Sequence, residues 1–188
     1  MIIALTGLAG SGKDTAAEMI AEILGGAAII ALADLPKEMA AKHFDMPKSM
    51  FYDRKFKDST MIIPHEDGYR YTYTGHGDIT PRELLVSWWD ELFEEHGSDY
   101  SLRMNIKKIN DIDEKNIIIS DIRYPIEFDW IDNEGITLLN IQRDAVEKTI
   151  HHVTESGTMK GYAVDNNGSI EDLKVVLTDM FMNPQSFV

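Results

Sequence analysis

The sequence predicts an α/β fold, a parallel sheet covered on both faces by helices, and three observations predict it. Short apolar runs alternate along the chain with segments of helical periodicity: Ile2-Ile3-Ala4-Leu5, Ile117-Ile118-Ile119 and Ile136 to Ile141 are the clearest. These runs are apolar nearly throughout, as strands buried on both faces are, and lack the polar alternation of a half-exposed sheet. A glycine-rich loop follows the first run directly and opens a helix.

Each element has its own local signal. After the first strand, Asp14 to Leu24 places Ala17, Ile20, Ala21 and Leu24 on one helical face, and Gly25-Gly26 ends that helix. Residues 27–33 form a second short apolar run and complete a β-α-β unit. Leu35-Pro36-Lys37 opens another helix, with Pro36 suited to its first turn. From Asp45 to Gly77 the pattern loosens into charge and aromatics, including Phe51, Tyr52, Arg54, Lys55, Phe56 and Lys57. Within it, Met61-Ile62-Ile63 and Tyr69-Arg70-Tyr71-Thr72-Tyr73, separated by Glu66-Asp67-Gly68, read as a hairpin over residues 61–73. Thr80-Pro81-Arg82-Glu83 joins an N-cap, a proline at the first helical position and a following acid, and starts a helix through about Glu95.

Asn116 to Ser120 holds a buried strand, followed by Asp121-Ile122-Arg123-Tyr124-Pro125. Residues 126–134 are helical and end at Gly135; the strand Ile136 to Ile141 then leads into Gln142-Arg143-Asp144. A polar segment runs to Gly161, Tyr162-Ala163-Val164-Asp165 is a last short strand, and Asn166-Asn167-Gly168 turns the chain. The final helix runs from Ser169 to about Met182, capped by Ser169 with Asp172 three residues on. With no repeat, low-complexity tract or linker, residues 1–188 read as a single domain, carrying a hairpin insertion at 61–73 and a lid at about 143–161.

Composition narrows the function classes. A chain of 188 residues, 44% apolar, with seven Phe, seven Tyr and three Trp, builds a sizeable core. A net charge of −14 argues against a nucleic-acid polymer as partner, but not against small phosphorylated ligands, which a few convergent cations capture. No apolar segment approaches the roughly 18 residues that cross a membrane, and the opening strand leaves no room for a signal peptide. The absence of cysteine removes disulfides and thiolate chemistry and is compatible with the cytoplasm.

The chemistry concentrates first in Gly7-Leu8-Ala9-Gly10-Ser11-Gly12-Lys13-Asp14-Thr15, which has the G-x-x-x-x-G-K spacing of a phosphate-binding loop. Gly10 and Gly12 permit backbone angles that aim successive N–H groups at an anion. Lys13 supplies a full charge where β- and γ-phosphates would sit, and the helix start adds its positive dipole end. The expected ligand is a nucleoside triphosphate. The residue after Lys13 should be a Ser or Thr whose hydroxyl ligates Mg²⁺; here it is Asp14, followed by Thr15. Either Asp14 serves the metal, directly or through water, or Thr15 supplies the hydroxyl. The bland alternative is a glycine-rich turn with Asp14 merely favouring a helix N-terminus.

Asp121 follows a buried strand, where a second Mg²⁺-handling or substrate-orienting carboxylate is expected, and Arg123 stands two residues on. The competing reading is a helix-capping Asp beside a surface Arg. Lys37 and Arg82 each begin a predicted helix, Arg82 suited to bidentate phosphate recognition and Lys37 to a mobile point charge. With Arg123 they would hold a second phosphate-bearing substrate; singly, each also reads as a solvated cation. Trp88 and Trp89 suit either base stacking or the core. Arg143 ends a strand before Asp144-Ala145-Val146-Glu147-Lys148, a candidate mobile lid, and a closing arginine is what phosphoryl transfer calls for. His151, His152 and Glu155 favour a hydrogen-bonding or structural role over zinc, since adjacent histidines diverge on a helix and no third ligand is spaced to help.

Several separated segments agree with one family. The loop Gly7 to Thr15 with its unusual Gly-Lys-Asp-Thr, Leu32-Ala33-Asp34-Leu35-Pro36-Lys37, Thr80-Pro81-Arg82-Glu83-Leu84-Leu85, Asp121-Ile122-Arg123-Tyr124-Pro125-Ile126-Glu127, His152-Val153-Thr154-Glu155-Ser156-Gly157 and Asn166-Asn167-Gly168-Ser169-Ile170-Glu171-Asp172-Leu173 together resemble a bacteriophage-type deoxynucleoside monophosphate kinase, within the P-loop nucleotide kinases. The resemblance implies a three-layer α/β/α P-loop kinase fold and deoxynucleotide metabolism in the cytoplasm, that of a host if the chain is phage-encoded; it also admits a homodimer. It implies that Gly10, Ser11, Gly12, Lys13, Asp14 and Thr15 hold ATP, with Asp14 or Thr15 and Asp121 handling Mg²⁺. It implies that Lys37, Arg82, Asp121 and Arg123 bind a nucleoside monophosphate, that Arg143 is a lid arginine, and that Asn166 lies near the adenine. Lys13, Arg82, Arg123 and Arg143 would then carry catalysis. The chain departs from the family after Leu85, where a Gln and then Gly-Thr-Asp are replaced by Val86 and then Trp89-Asp90-Glu91, positions suited to touching the substrate base.

The leading reading is transfer of the γ-phosphoryl of ATP to the 5′-phosphate of a (deoxy)nucleoside monophosphate. The same loop and cations would also serve a kinase for another small phosphorylated acceptor, such as dephospho-coenzyme A or phosphomevalonate. A nucleotide-dependent switch ATPase is the reading from another class, and no Asn-Lys-x-Asp base-specificity motif supports a G-protein.

Overall fold

The structure is a computed structural model that describes residues 1–59, 79–144 and 160–183, save for the side chain of Arg54. The hairpin expected at 61–73, most of the lid expected at about 143–161, and His151, His152 and Glu155 lie outside the described residues. The chain forms two compact units, one of residues Met1–Leu32 with Leu102–Val188, the other of Ala33–Ser101.

The first unit is built on five parallel strands: β1 (Ile2–Thr6), β2 (Ala28–Ile30), β3 (Ile117–Ile119), β4 (Thr137–Gln142) and β5 (Tyr162–Asp165), in the order β2-β3-β1-β4-β5. All four pairings are parallel, with Ile3 opposite Ile118 on one side and Thr137 on the other. Successive strand residues point to opposite faces, so each apolar run feeds two cores. Ile3, Leu5, Ile118, Leu139, Ile141 and Val164 face one side, where α1 (Lys13–Ile23) contributes Ala16, Ala17, Met19 and Ile20 and α8 (Ile170–Met182) contributes Leu173 and Leu177. Ala4, Ile30, Ile117, Ile119 and Leu138 face the other, under Ile109 of α6 (Tyr100–Asn110) and Phe128 and Ile131 of α7 (Pro125–Asn133). This is the expected three-layer α/β/α arrangement. The caps are also as expected: Ser169 and Asp172 form a capping box on α8, and Gly135 follows the last turn of α7 at positive φ.

Connections leave adjacent strands β1 and β3 over opposite faces, since α1 covers one core and α7 the other. The carboxyl ends of these two strands therefore flank the switch point of the sheet, where α/β proteins hold their ligands. Cross-links fasten those ends: the Ile122 N–H donates to the Leu5 carbonyl at 2.9 Å, and the Thr6 hydroxyl to the Ile122 carbonyl at 2.9 Å.

The second unit contains α2 (Asp34–His43), two single-turn helices α3 (Ser49–Tyr52) and α4 (Arg54–Lys57), and α5 (Pro81–His96). Its core joins Ala40, Phe44, Phe51, Leu84, Trp88 and Trp89. Thr80 caps α5 through a reciprocal box with Glu83, and Pro81 stands in the first turn. Among the described residues, α3, α4 and α6 stand where the sequence predicts no helix. No described helix is long and apolar enough to cross a membrane.

Candidate functional site

The loop after β1 folds back on its own lysine. Lys13 is 8% exposed, and its ammonium donates to the carbonyls of Gly7 at 2.8 Å and Leu8 at 2.7 Å. Gly10 and Gly12 both take positive φ, 82° and 95°, and Gly12 starts α1 from the left-handed region that glycine alone adopts freely. A Cβ at Gly12 would also overlap the Asn166 amide. The Ser11 side-chain oxygen is buried with no hydrogen-bond partner among the described residues. Asp14 is exposed in the first turn of α1 and Thr15 is half-buried beside it.

Burial lowers the Lys13 pKa to about 8, and the Arg123 guanidinium pushes in the same direction, while Asp14 and Asp121 oppose them. Asp14, Asp121 and Arg123 thus all lie within electrostatic reach of Lys13. Two unlike sequence segments meet here, as the reading of Lys13, Asp14, Asp121 and Arg123 requires.

Asp121 is 7% exposed, and its Oδ1 accepts the Leu32 N–H at 2.6 Å, which ties the exit of β2 to the exit of β3. The turn that follows is held by a residue the sequence reading did not single out. Glu127, in the first turn of α7, accepts the backbone N–H of Arg123 at 2.7 Å and of Tyr124 at 2.9 Å through one oxygen. It is 6% exposed. Burial raises its pKa to about 7; the two amides oppose that rise, nearby Asp121 adds to it, and Arg123 opposes it. The sequence signal was present, an acid two residues after a helix-opening proline.

Arg143 follows β4 directly and is exposed. Asn166 follows β5; its side chain is 8% exposed and donates to the Ser11 carbonyl at 2.7 Å, so its amide serves the loop backbone.

In the second unit, Lys37 sits in the first turn of α2, 3.0 Å from Asp34 Oδ1 and over the Tyr52 ring at 4.6 Å from its centroid. The Tyr52 hydroxyl donates to the Asp34 carbonyl at 3.3 Å; burial, with Asp34 and Glu38 nearby, raises its pKa above the ordinary phenol range. Arg82 stands in the first turn of α5 with Nε 2.7 Å from Asp58 Oδ1, both groups exposed. Both cations are therefore held by carboxylates that an anion would have to displace. Trp88 and Trp89 are 7% and 6% exposed and pack in the core; the His43 ring stacks on Trp88 at 5.0 Å.

The family model described as deoxynucleotide monophosphate kinase matches residues 78–177, just over half of the chain. No curated protein sequence matches it. Among solved structures, TT1252 from Thermus thermophilus is similar, with a TM-score of 0.50 at 16% identity, covering 97% of this chain and 96% of that one. A gluconokinase from Sinorhizobium meliloti 1021 gives a TM-score of 0.47 at 12% identity over 98% of this chain and 93% of its own. The Thermus likeness is one of fold.

Proposed function

Because the chain belongs to the deoxynucleotide monophosphate kinase family, and is thus a kinase, we propose that it transfers the γ-phosphoryl of ATP to the 5′-phosphate of a (deoxy)nucleoside monophosphate. One observation carries the reading: a buried lysine folded back into a glycine loop whose Gly10 and Gly12 take positive φ, at the carboxyl end of β1 with Asp121 and Arg123 in electrostatic reach. A polyanion would give that ammonium the ionic partner that burial denies it.

In this reading the loop amides of Gly10, Ser11 and Gly12 and the Lys13 ammonium bind the donor phosphates. An oxygen of the acceptor phosphate bonds to the γ-phosphorus as the bridge to the β-phosphate breaks, releasing ADP. Lys13 offsets the charge that gathers on the bridge and on the transferring group. Arg123, Arg82 and Lys37 take the acceptor phosphate by charge-assisted hydrogen bonds, and Arg143 closes on the donor.

The donor set also fits Mg²⁺. Among the described residues no three His, Asp or Glu side chains form a cage, and Mg²⁺ with a nucleotide asks for one or two protein ligands beside phosphate oxygens and water. Asp14 or Thr15, with Asp121, would hold it, and the ion would supply further neutralisation of the phosphates. The protein would work in the cytoplasm, with ATP and the monophosphate as its partners.

A coupled assay with ATP and a panel of ribo- and deoxyribonucleoside monophosphates tests this. ADP release that depends on a monophosphate is expected. ATP turnover without any acceptor, or transfer only to dephospho-coenzyme A or phosphomevalonate, overturns it.

A further inference from the structure

We propose that Asn166 is a positioning residue for the phosphate loop, and that Asn167 with Asp144 holds it in place. The inference rests on the reading of the loop as a phosphate site, and it assigns Asn166 a task other than contact with adenine.

The geometry begins at the end of the sheet. Beyond the last pair of β4 and β5, Gln142 with Asp165, the Asn166 N–H donates to the Gln142 carbonyl at 2.8 Å and prolongs the ladder. This fixes the Asn166 backbone, and its buried amide donates to the Ser11 carbonyl at 2.7 Å. In a trans peptide the carbonyl and the following N–H point in opposite directions. A Ser11 carbonyl held toward Asn166 therefore turns the Gly12 N–H away from it. Gly12, left-handed and without a Cβ, is the residue that lets the asparagine come this close. Without the tether, a peptide flanked by glycine is free to turn over, which would offer a carbonyl where an anion needs a donor.

Asn167 clamps the turn from the other side. Its Oδ1 accepts the Asp144 N–H at 2.8 Å, its Nδ2 donates to Asp144 Oδ2 at 3.1 Å, and its own N–H donates to Asp165 Oδ1 at 2.9 Å. The side-chain pairing is directional: the Asn167 amide nitrogen donates to the Asp144 carboxylate, which can only accept, while the amide oxygen is taken by the Asp144 backbone N–H.

Inorganic tripolyphosphate is the probe, because it carries the phosphates without base or sugar. Titration calorimetry of the full chain should give binding about tenfold weaker for Asn166→Ala, with a parallel rise in KM for ATP and an unchanged KM for the acceptor. Asn167→Asp sets two carboxylates against each other and should also weaken tripolyphosphate binding. Adding Asp144→Asn to that variant restores an amide–carboxylate pair at the wild-type net charge and should recover the affinity. A merely structural role would lower the melting temperature without a selective loss of phosphate. Unchanged tripolyphosphate binding in Asn166→Ala, with ATP alone weakened, overturns the inference in favour of an adenine contact. Failure of the swap to rescue overturns the clamp. A wild-type chain that binds no tripolyphosphate overturns the phosphate-loop reading and this inference with it.

Discussion

Replacing Glu127 with glutamine should make the protein's stability less sensitive to pH, and the size of the change follows from its surroundings. The carboxyl is 6% exposed, and burial raises its pKa from 4.5 to about 7 despite the two amides it accepts. For an acid whose folded pKa is raised, the folded state holds the proton more tightly than the unfolded chain. Its contribution to stability is full below pH 4.5 and is lost as pH rises through about 7. A rise of that size corresponds to about 3 kcal/mol at roughly 1.4 kcal/mol per pKa unit. Glutamine keeps an oxygen for the Arg123 and Tyr124 amides and carries no charge to desolvate, so its variant lacks this loss. Urea denaturation of both proteins without nucleotide, between pH 4.5 and 8, gives the difference in unfolding free energy, with titrations common to both cancelling. The difference should shift toward the variant by about 3 kcal/mol across that range. A difference independent of pH would refute the claim that Glu127 is a buried acid charging at the cost of the fold.

Lys13, with a pKa of about 8 in the free protein, should take up a proton when triphosphate binds. At pH 8.5, calorimetry in buffers of different ionisation heat should report about 0.75 proton per site, and Lys13→Arg should report none because arginine stays charged; equal heats in all buffers for the wild type would sink the idea. Arg82→Ala and Arg123→Ala should each weaken acceptor use ten- to hundredfold, from about 1.5–3 kcal/mol of charge-assisted bonding, while ATP binding holds; steady-state kinetics with both substrates varied would expose the reverse pattern. If Asp14 serves Mg²⁺, Asp14→Asn should raise the Mg²⁺ needed for half-maximal rate more than the acceptor KM; if Thr15 does, Thr15→Val should, and metal titrations in which neither moves would exclude both.

Strands buried on both faces were legible because a parallel sheet leaves no solvent face to interrupt the apolar run. Helices with a proline or a cap at the start were legible for equally local reasons, as at Thr80 and Ser169. Helix α6 was not, because its inward face carries Asn105 between Leu102 and Ile109 and so shows no unbroken apolar stripe. Helices α3 and α4 are each four residues long, too short for periodicity to register. In the site, Lys13, Asp121 and Arg123 could be placed from the strand ends alone. Partners from distant sequence could not: Asp58 reaches Arg82 across 24 residues, and Asn166 reaches Ser11 across 155. Both Trp88 and Trp89 went to the core because side chains of that area contribute most where they are shielded from water.

The order of the strands also bears on when the molecule can acquire its shape. The opening strand β1 finds both its neighbours, β3 and β4, more than a hundred residues downstream. The loop that follows it is fastened by the turn after β5, later still. During synthesis the glycine loop thus leaves the ribosome ahead of the segments that hold it in place. Loop-closure entropy weighs against such distant pairings until their partners exist, and folds dominated by them form slowly. Shortening the chain before β5 would leave every residue of the glycine loop intact in sequence and deprive it of its outer support, so the motif and the working cradle are separable in time as well as in space.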